Sequence, residues 1–177
     1  LVDSEPISVA VLLDVIAGAG GSVTEADAYR LFLGRSMAAV RELLRSEFGM
    51  TLTDQQLEAM RTELTRRFRE HLRPIPGIVE ALSRLNTRVC VASSAGIERI
   101  RLSLRLTGLL EMLEPHLYSA AMVERGKPAP DLFLYAARAM GVRPADCVVI
   151  EDSPAGIDAA RHAGMHVFAF TGGSHAG

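Results

Sequence analysis

The stretch Val148-Val149-Ile150-Glu151-Asp152-Ser153-Pro154-Ala155-Gly156 decides the fold class of this 177-residue chain. Three β-branched residues predict a buried strand, and the carboxylates, hydroxyl and proline that follow predict the start of a helix. Ligands of parallel α/β sheets bind at the carboxyl ends of the strands. The adjacent carboxylates Glu151 and Asp152 are therefore candidate ligands for a hard divalent cation such as Mg²⁺.

The same residues also fit ordinary helix capping. Ser153 can cap a helix whose first residue is Pro154. Acidic residues near a helix start are stabilised by the helix dipole and need no metal ion. This stretch alone therefore leaves a metal site and a capped helix as alternatives.

Strand and helix patterns alternate on both sides of this stretch, from about residue 76 onward. The apolar spacing predicts helices over 78–85 and 154–163, helices ending at residues 106 and 141, and strands over 88–92, 116–120, 147–150 and 166–170. Alternating strands and helices predict an α/β fold with a parallel sheet and right-handed crossovers. The glycine-rich end at 172–174 is predicted to fray.

The first part of the chain has a different pattern, without a convincing strand. Apolar residues at helical spacing predict helices over 8–17, 25–33, 37–48 and 54–72. The pattern changes at Pro74-Ile75-Pro76-Gly77. We therefore predict a helical insertion over residues 8–75 and an α/β core formed by residues 1–7 and 76–177.

The composition indicates a globular protein and excludes some partners. With 49% hydrophobic residues the chain can bury a substantial core, and its net charge of −2 gives no overall attraction to nucleic acid or anionic membranes. No apolar run approaches the roughly 20 residues needed to span a bilayer. Cys90 and Cys147 lie in apolar strand-like runs, which favours buried free thiols and a reducing, cytoplasmic location.

Two further turns carry groups that suit phosphate recognition. Ser93 and Ser94 follow the strand over 88–92, and Lys127 lies in the turn Gly126-Lys127-Pro128-Ala129-Pro130-Asp131. Because parallel strands end at the same edge of a sheet, we expect these groups to converge with the acidic pair. Hydroxyls and backbone amides bind phosphoryl oxygens, and a fixed cation balances their charge. The alternatives are a serine that caps a helix and an exposed turn lysine.

Three motifs in this order and spacing resemble those of the haloacid dehalogenase-like (HAD) hydrolases. They are Val91-Ala92-Ser93-Ser94, Gly126-Lys127-Pro128-Ala129-Pro130-Asp131 and Val149-Ile150-Glu151-Asp152-Ser153-Pro154-Ala155-Gly156. The most similar branch has a helical cap and includes β-phosphoglucomutase and many sugar-phosphate phosphatases. The resemblance implies a three-layer Rossmann-like core, with the helices of 8–75 as a cap that closes over the substrate.

The resemblance also implies a role for individual residues. Ser93 is expected to bind the transferring phosphoryl group, and Lys127 to balance its charge and that of the nucleophile. Glu151 and Asp152 are expected to bind Mg²⁺ directly or through water. The implied function is a Mg²⁺-dependent phosphatase acting on a small phosphorylated metabolite, such as a sugar or sugar-acid phosphate.

Residues of the cap bear on the choice between phosphatase and mutase. β-Phosphoglucomutase resembles this chain but has a hinge histidine where Ser8 aligns and a phosphate-binding arginine where Met37 aligns. Both mutase features are missing, so a mutase is the alternative function. Arg35 in the cap and Ser94 in the core are candidate substrate-binding residues. The alternative for Arg35 is a surface arginine in a loop that joins two helices.

The first motif of the family is nearly absent from the chain. Its pattern is Asp-x-Asp-Gly-x-Leu-Val-Asp-Ser-Glu, in which the first Asp attacks phosphorus and the second serves as general acid and base. Residues 1–5 match only its last five positions, which indicates a truncated piece of an active enzyme or a non-catalytic protein that binds a phosphorylated ligand. The strand of this motif would lie between the strands over 89–92 and 148–151. We therefore expect a gap of about 9 to 10 Å there.

Overall fold

The computed structural model describes residues 1–173, so Ser174 of the predicted frayed end lies outside the described residues. The elements of the first part are helices α1 (Glu5–Gly18), α2 (Glu25–Phe32), α3 (Met37–Phe48) and α4 (Asp54–His71). The second part contains helices α5 (Ile78–Arg84), α6 (Ile97–Leu106), α7 (Leu110–Leu113), α8 (Asp131–Ala139) and α9 (Pro154–His162). Its strands are β1 (Val91–Ser93), β2 (Leu117–Ser119), β3 (Val148–Glu151) and β4 (His166–Ala169).

Helices α1 to α4 pack around a hydrophobic core of their own. Helix α1 is apolar around most of its circumference, as expected for a helix surrounded by others, and it contacts both α2 and α4. The core is formed by Val9, Val11, Leu12, Ile16, Ala28, Phe32, Val40, Leu44, Leu52, Leu57, Met60, Leu64, Phe68 and Leu72. The described part of the chain contains no helix that is both long enough and apolar enough to cross a membrane.

The start of α4 is fixed by a reciprocal pair of hydrogen bonds. Thr53 Oγ1 accepts a hydrogen bond from the Gln56 amide at 3.2 Å, and Gln56 Oε1 accepts one from the Thr53 amide at 2.8 Å. This capping box satisfies two backbone donors that the helix itself leaves unpaired. The long, charged α4 therefore begins at a defined residue.

We expect Thr53→Ala to lower the free energy of unfolding by about 1 kcal/mol, because the α4 cap is lost. Urea denaturation of the intact protein measures this change. Thr51→Ala is the matched control, since Thr51 is an exposed threonine just before the helix. Its effect should stay within about 0.5 kcal/mol. Equal losses for the two variants would contradict the role of the cap.

The strands form two separate parallel pairs within the described residues. Strand β1 pairs with β2 from Val91↔Leu117 to Ser93↔Ser119, and β3 pairs with β4 from Val148↔His166 to Glu151↔Ala169. Direct pairing of β1 with β3 would have contradicted the predicted gap, and residues 1–173 show no such pairing. The strand that would fill the gap stays a prediction.

Within the described residues, helices cover only one face of the β3–β4 pair. Helices α8 and α9 pack with Val149 and Val167, whereas the other face of this pair leaves Val148 59%, Ile150 70% and Phe168 67% exposed. The prediction of a buried β3 is therefore wrong for Val148 and Ile150. Alternate side chains of a strand point to opposite faces, and the described residues cover only one of them.

The two cysteines are free thiols, but their burial differs from the prediction. Cys90 is exposed and Cys147 is half-buried. Cys90 directly precedes β1 and lies outside the paired part of the strand. The prediction of a buried thiol is therefore wrong for Cys90, because an apolar run does not fix how far strand pairing extends.

Residues 1–3 and 73–75 run side by side and join the helical part to the rest of the chain. The Asp3 amide donates to the Arg73 carbonyl at 3.1 Å, and the Ile75 amide donates to the Leu1 carbonyl at 3.0 Å. Helix α1 already begins at Glu5, three positions before its predicted start. The domain boundaries at residues 8 and 75 stay a prediction.

Candidate active site

A buried ion pair joins the turn before α8 to the end of β3. Lys127 Nζ lies 2.7 Å from Glu151 Oε2, and the two side chains are only 5% and 10% exposed. Ser153 Oγ donates a hydrogen bond to Glu151 Oε1 at 2.8 Å. Both oxygens of the Glu151 carboxylate therefore have partners, as a buried charge requires.

The sequence after β3 makes room for this carboxylate. Ser153 caps α9, accepting a hydrogen bond from the Gly156 amide at 3.1 Å, and Pro154 is the first helical residue. A Cβ on Gly156 would overlap the carboxyl group of Glu151. The Glu151 side chain can therefore lie against the first turn of α9 only because residue 156 is glycine.

Lys127 is held by more than its ion pair. Its ammonium lies 4.9 Å from the centre of the Phe133 ring, at a distance typical of a cation–π contact. The lysine is thus a fixed, buried cation, and the alternative of an exposed turn residue is wrong.

The start of the chain lies near the acidic pair. Burial lowers the pKa of the Leu1 amino group, while the nearby carboxylates of Asp152 and Glu151 act in the opposite direction. Residues 1–3 are anchored to the segment over 73–75. Residue 1 therefore lies within range of the charges of Asp152 and Glu151.

The donor set at this edge has the chemistry of a Mg²⁺ site that is completed by other ligands. Mg²⁺ is usually bound by one or two carboxylates, with water and phosphate oxygens filling the remaining positions. Glu151 and the exposed Asp152 provide two adjacent carboxylates. Residues 1–173 contain no group of three or more His, Cys, Asp or Glu residues arranged to hold a metal ion.

The two serines at the end of β1 have different partners. Ser93 Oγ accepts a hydrogen bond from the Ala95 amide at 3.2 Å, within the turn that leads to α6. Ser94 Oγ instead donates to the carbonyl of Gly34 at 2.6 Å. Ser93 keeps its predicted place at the strand end, and the Ser94 hydroxyl faces the helical part of the chain.

Gly34 belongs to the 33–36 loop, which joins α2 to α3 and covers the site. Gly34 has a φ of +74°, and a Cβ there would overlap the hydroxyl and Cβ of Ser153. Ser36 lies beside Gly126, the residue before Lys127, and Arg35 is half-buried in the same loop. The loop therefore contacts all three motifs predicted from the sequence.

The structure brings together Lys127 and Glu151 directly, and links Ser94 to them through Gly34 and Ser153. The chemical roles predicted for Ser93, Ser94, Lys127, Arg35, Glu151 and Asp152 stay predictions. From the sequence, Ser153 is predicted only as a helix cap, and Gly34 and Gly156 are not identified as site residues. The positive φ at Gly34 could have been suspected from its place after α2, but its contact with Ser153 has no signal in the sequence.

Comparisons with known proteins agree with the motifs. A family model for haloacid dehalogenase-like hydrolases matches residues 1–164. The chain is 30% identical over 176 residues to 6-phosphogluconate phosphatase of Escherichia coli K12, covering 99% of this chain and 80% of that protein. It is 36% identical over 141 residues to fructose-1-phosphate phosphatase YqaB of the same organism, covering 74% of this chain and 68% of that protein.

The fold is shared with solved structures. The crystal structure of a conserved haloacid dehalogenase-like protein of unknown function from Agrobacterium tumefaciens C58 is 37% identical, with a TM-score of 0.80. That match covers 99% of this chain and 80% of the other. The predicted α/β fold with a helical cap is therefore confirmed. The chain belongs to the haloacid dehalogenase-like hydrolases, in the branch that contains the sugar-phosphate phosphatases.

Proposed function

We propose that the protein is a Mg²⁺-dependent phosphatase acting on small phosphorylated metabolites, with sugar and sugar-acid phosphates as the substrate class. The observation that carries this proposal is the buried Lys127–Glu151 pair beneath the 33–36 loop. The two phosphatases compared above are named for a sugar-acid phosphate and a sugar phosphate. The overall charge of −2 gives no support to nucleic acid or a membrane as partner, and the cytoplasmic location stays a prediction.

Lys127 would supply the fixed positive charge at the phosphoryl group. Its ammonium is already desolvated and oriented by Glu151, so no reorganisation is needed when negative charge develops. The Ser93 hydroxyl and the backbone amides before α6 would bind phosphoryl oxygens at a helix start. Arg35 would contact the remainder of the substrate from the 33–36 loop.

Glu151 and Asp152 would hold Mg²⁺ together with water and the substrate. A bound Mg²⁺ neutralises phosphoryl oxygens and helps to orient the group for in-line attack. Both oxygens of Glu151 are engaged by Lys127 and Ser153, which supports a water-mediated contact for this residue. Asp152 is exposed at the end of β3 and would be the direct ligand.

The nucleophile would be an aspartate five residues before Leu1. Its carboxylate would attack phosphorus and form an aspartyl-phosphate, which water then hydrolyses. The match of residues 1–5 to the last five positions of the family's first motif supports this placement. The alternative without that aspartate is a protein that binds a phosphorylated ligand.

The protein, expressed with its upstream coding sequence, is expected to release phosphate from at least one sugar or sugar-acid phosphate in the presence of Mg²⁺. EDTA should abolish the release and added Mg²⁺ should restore it, because the ion carries part of the charge stabilisation. A phosphate-release assay over a panel of phosphometabolites measures this. No hydrolysis of any panel member by a protein that carries the upstream aspartate would overturn the proposal. Isomerisation of β-glucose 1-phosphate in place of release would favour the mutase.

A further inference from the structure

The hydrogen bond from Ser94 to Gly34 links two segments that are 60 positions apart in the chain. Ser94 Oγ lies 2.6 Å from the Gly34 carbonyl oxygen, a short distance for a hydroxyl donor. Ser94 follows the predicted phosphate-binding Ser93, whereas Gly34 precedes the candidate substrate contact Arg35. This one bond therefore connects the phosphate side of the site to the loop that covers it.

We propose that Ser94 is a positioning residue, whose hydroxyl holds the 33–36 loop over the site and thereby places Arg35 against the substrate. This inference rests on the proposed function and assigns Ser94 a role other than direct substrate binding. The hydroxyl proton is already donated to Gly34, so it is not directed at a ligand. The Ser94–Gly34 hydrogen bond would affect substrate binding only through the position of the 33–36 loop.

The backbone conformation of Gly34 and its lack of a side chain allow its carbonyl group to reach Ser94. With a φ of +74° and no side chain, Gly34 packs directly on Ser153, where any Cβ would overlap the hydroxyl. Ser153 is 1% exposed, and Gly34 forms part of its cover. The loop thus has a packing contact at Ser153 and a polar contact at Ser94, both through one residue.

Opening of the loop requires the Ser94–Gly34 bond to break. The loop lies against Ser153, which donates to Glu151, and near Gly126, which precedes Lys127, so movement of the loop would change access to this ion pair. A bond present only in the closed state favours closure. A neutral hydrogen bond of this kind shifts such an equilibrium by roughly 2- to 10-fold.

The test is a double-variant cycle on the intact enzyme. Ser94→Ala is expected to raise KM for a sugar phosphate by about 2- to 10-fold with a smaller change in kcat, whereas Ser94→Thr keeps the hydroxyl and stays close to wild type. In an Arg35→Ala background, Ser94→Ala should add little, because both changes remove the same substrate contact. Additive effects would show direct substrate binding by Ser94 and would overturn the proposal.

Hydrogen exchange of the amides over 33–37 provides a readout without substrate. Ser94→Ala is expected to speed this exchange by roughly 2- to 10-fold, and Ser94→Thr is not. Ser83→Ala is the control, since Ser83 Oγ donates to the Glu80 carbonyl at 2.8 Å on exposed α5, away from the loop. Unchanged exchange in Ser94→Ala would overturn the positioning role. If wild-type protein released no phosphate, the proposed function would fail, while the exchange result would still decide the loop contact.

Discussion

Lys127→Met is expected to lower phosphatase activity by at least about 10³-fold and the free energy of unfolding by about 3 to 5 kcal/mol. The activity falls because the fixed cation at the phosphoryl group is lost. The stability falls because Glu151, 10% exposed, keeps a buried carboxylate without its cation at 2.7 Å. Phosphate release and urea denaturation measure the two losses separately.

A second substitution separates these two effects. In Lys127→Met/Glu151→Gln neither charge remains, so most of the lost stability should return while the enzyme stays inactive. Arg143→Met is the exposed control, because Arg143 lies 2.7 Å from Asp146 with side chains 82% and 50% exposed. Such a pair contributes less than about 1 kcal/mol. An active Lys127→Met, or one as stable as Arg143→Met, would contradict the assignment.

Gly34→Ala is expected to lower kcat/KM for a sugar phosphate by at least about 10-fold, through loss of loop closure. An alanine Cβ would overlap Ser153, and the loop can avoid this overlap only by moving away from the core. The left-handed backbone adds a cost of roughly 1 to 2 kcal/mol for any L-residue. Steady-state kinetics over the substrate panel measure the change.

Gly49→Ala is the matched control for this variant. Gly49 has a φ of +63° at the end of α3, and nothing lies within 4 Å of a Cβ built there. The backbone cost is therefore the same, without the overlap. Gly49→Ala should lose stability and keep its KM, whereas Gly34→Ala should lose activity in addition. Identical kinetics for the two variants would show that the loop contact with Ser153 has no part in the reaction.

The order of the helices and strands could be predicted well from the sequence. The spacing of apolar residues, and the glycine, proline and capping residues at the ends of elements, are local properties of the chain. The helix over 37–48 has its predicted bounds, and the strand predicted over 147–150 is observed as Val148–Glu151. Burial was predicted less well. Val148 and Ile150 are apolar, but which face of a strand is covered depends on elements distant in the chain.

The site was predictable to the extent that strand ends share an edge. That rule predicts that Lys127 and Glu151, 24 positions apart in the chain, lie close together, and the two side chains are 2.7 Å apart. It could not show that Ser94 faces Gly34 or that Gly34 rests on Ser153, because those contacts depend on how the helical part docks. Nothing in the local pattern around Gly34 specifies this docking.

The Ser153 hydroxyl donates its one hydrogen bond to Glu151 and accepts another from the Gly156 amide. The orientation of the Glu151 carboxylate is therefore coupled to the position of the first turn of α9. A substitution at the fully buried Ala159 that shifts α9 is therefore expected to change the position of the Glu151 carboxylate as well. A change in the apolar packing of α9 would then alter the distance between the charges of Glu151 and Lys127.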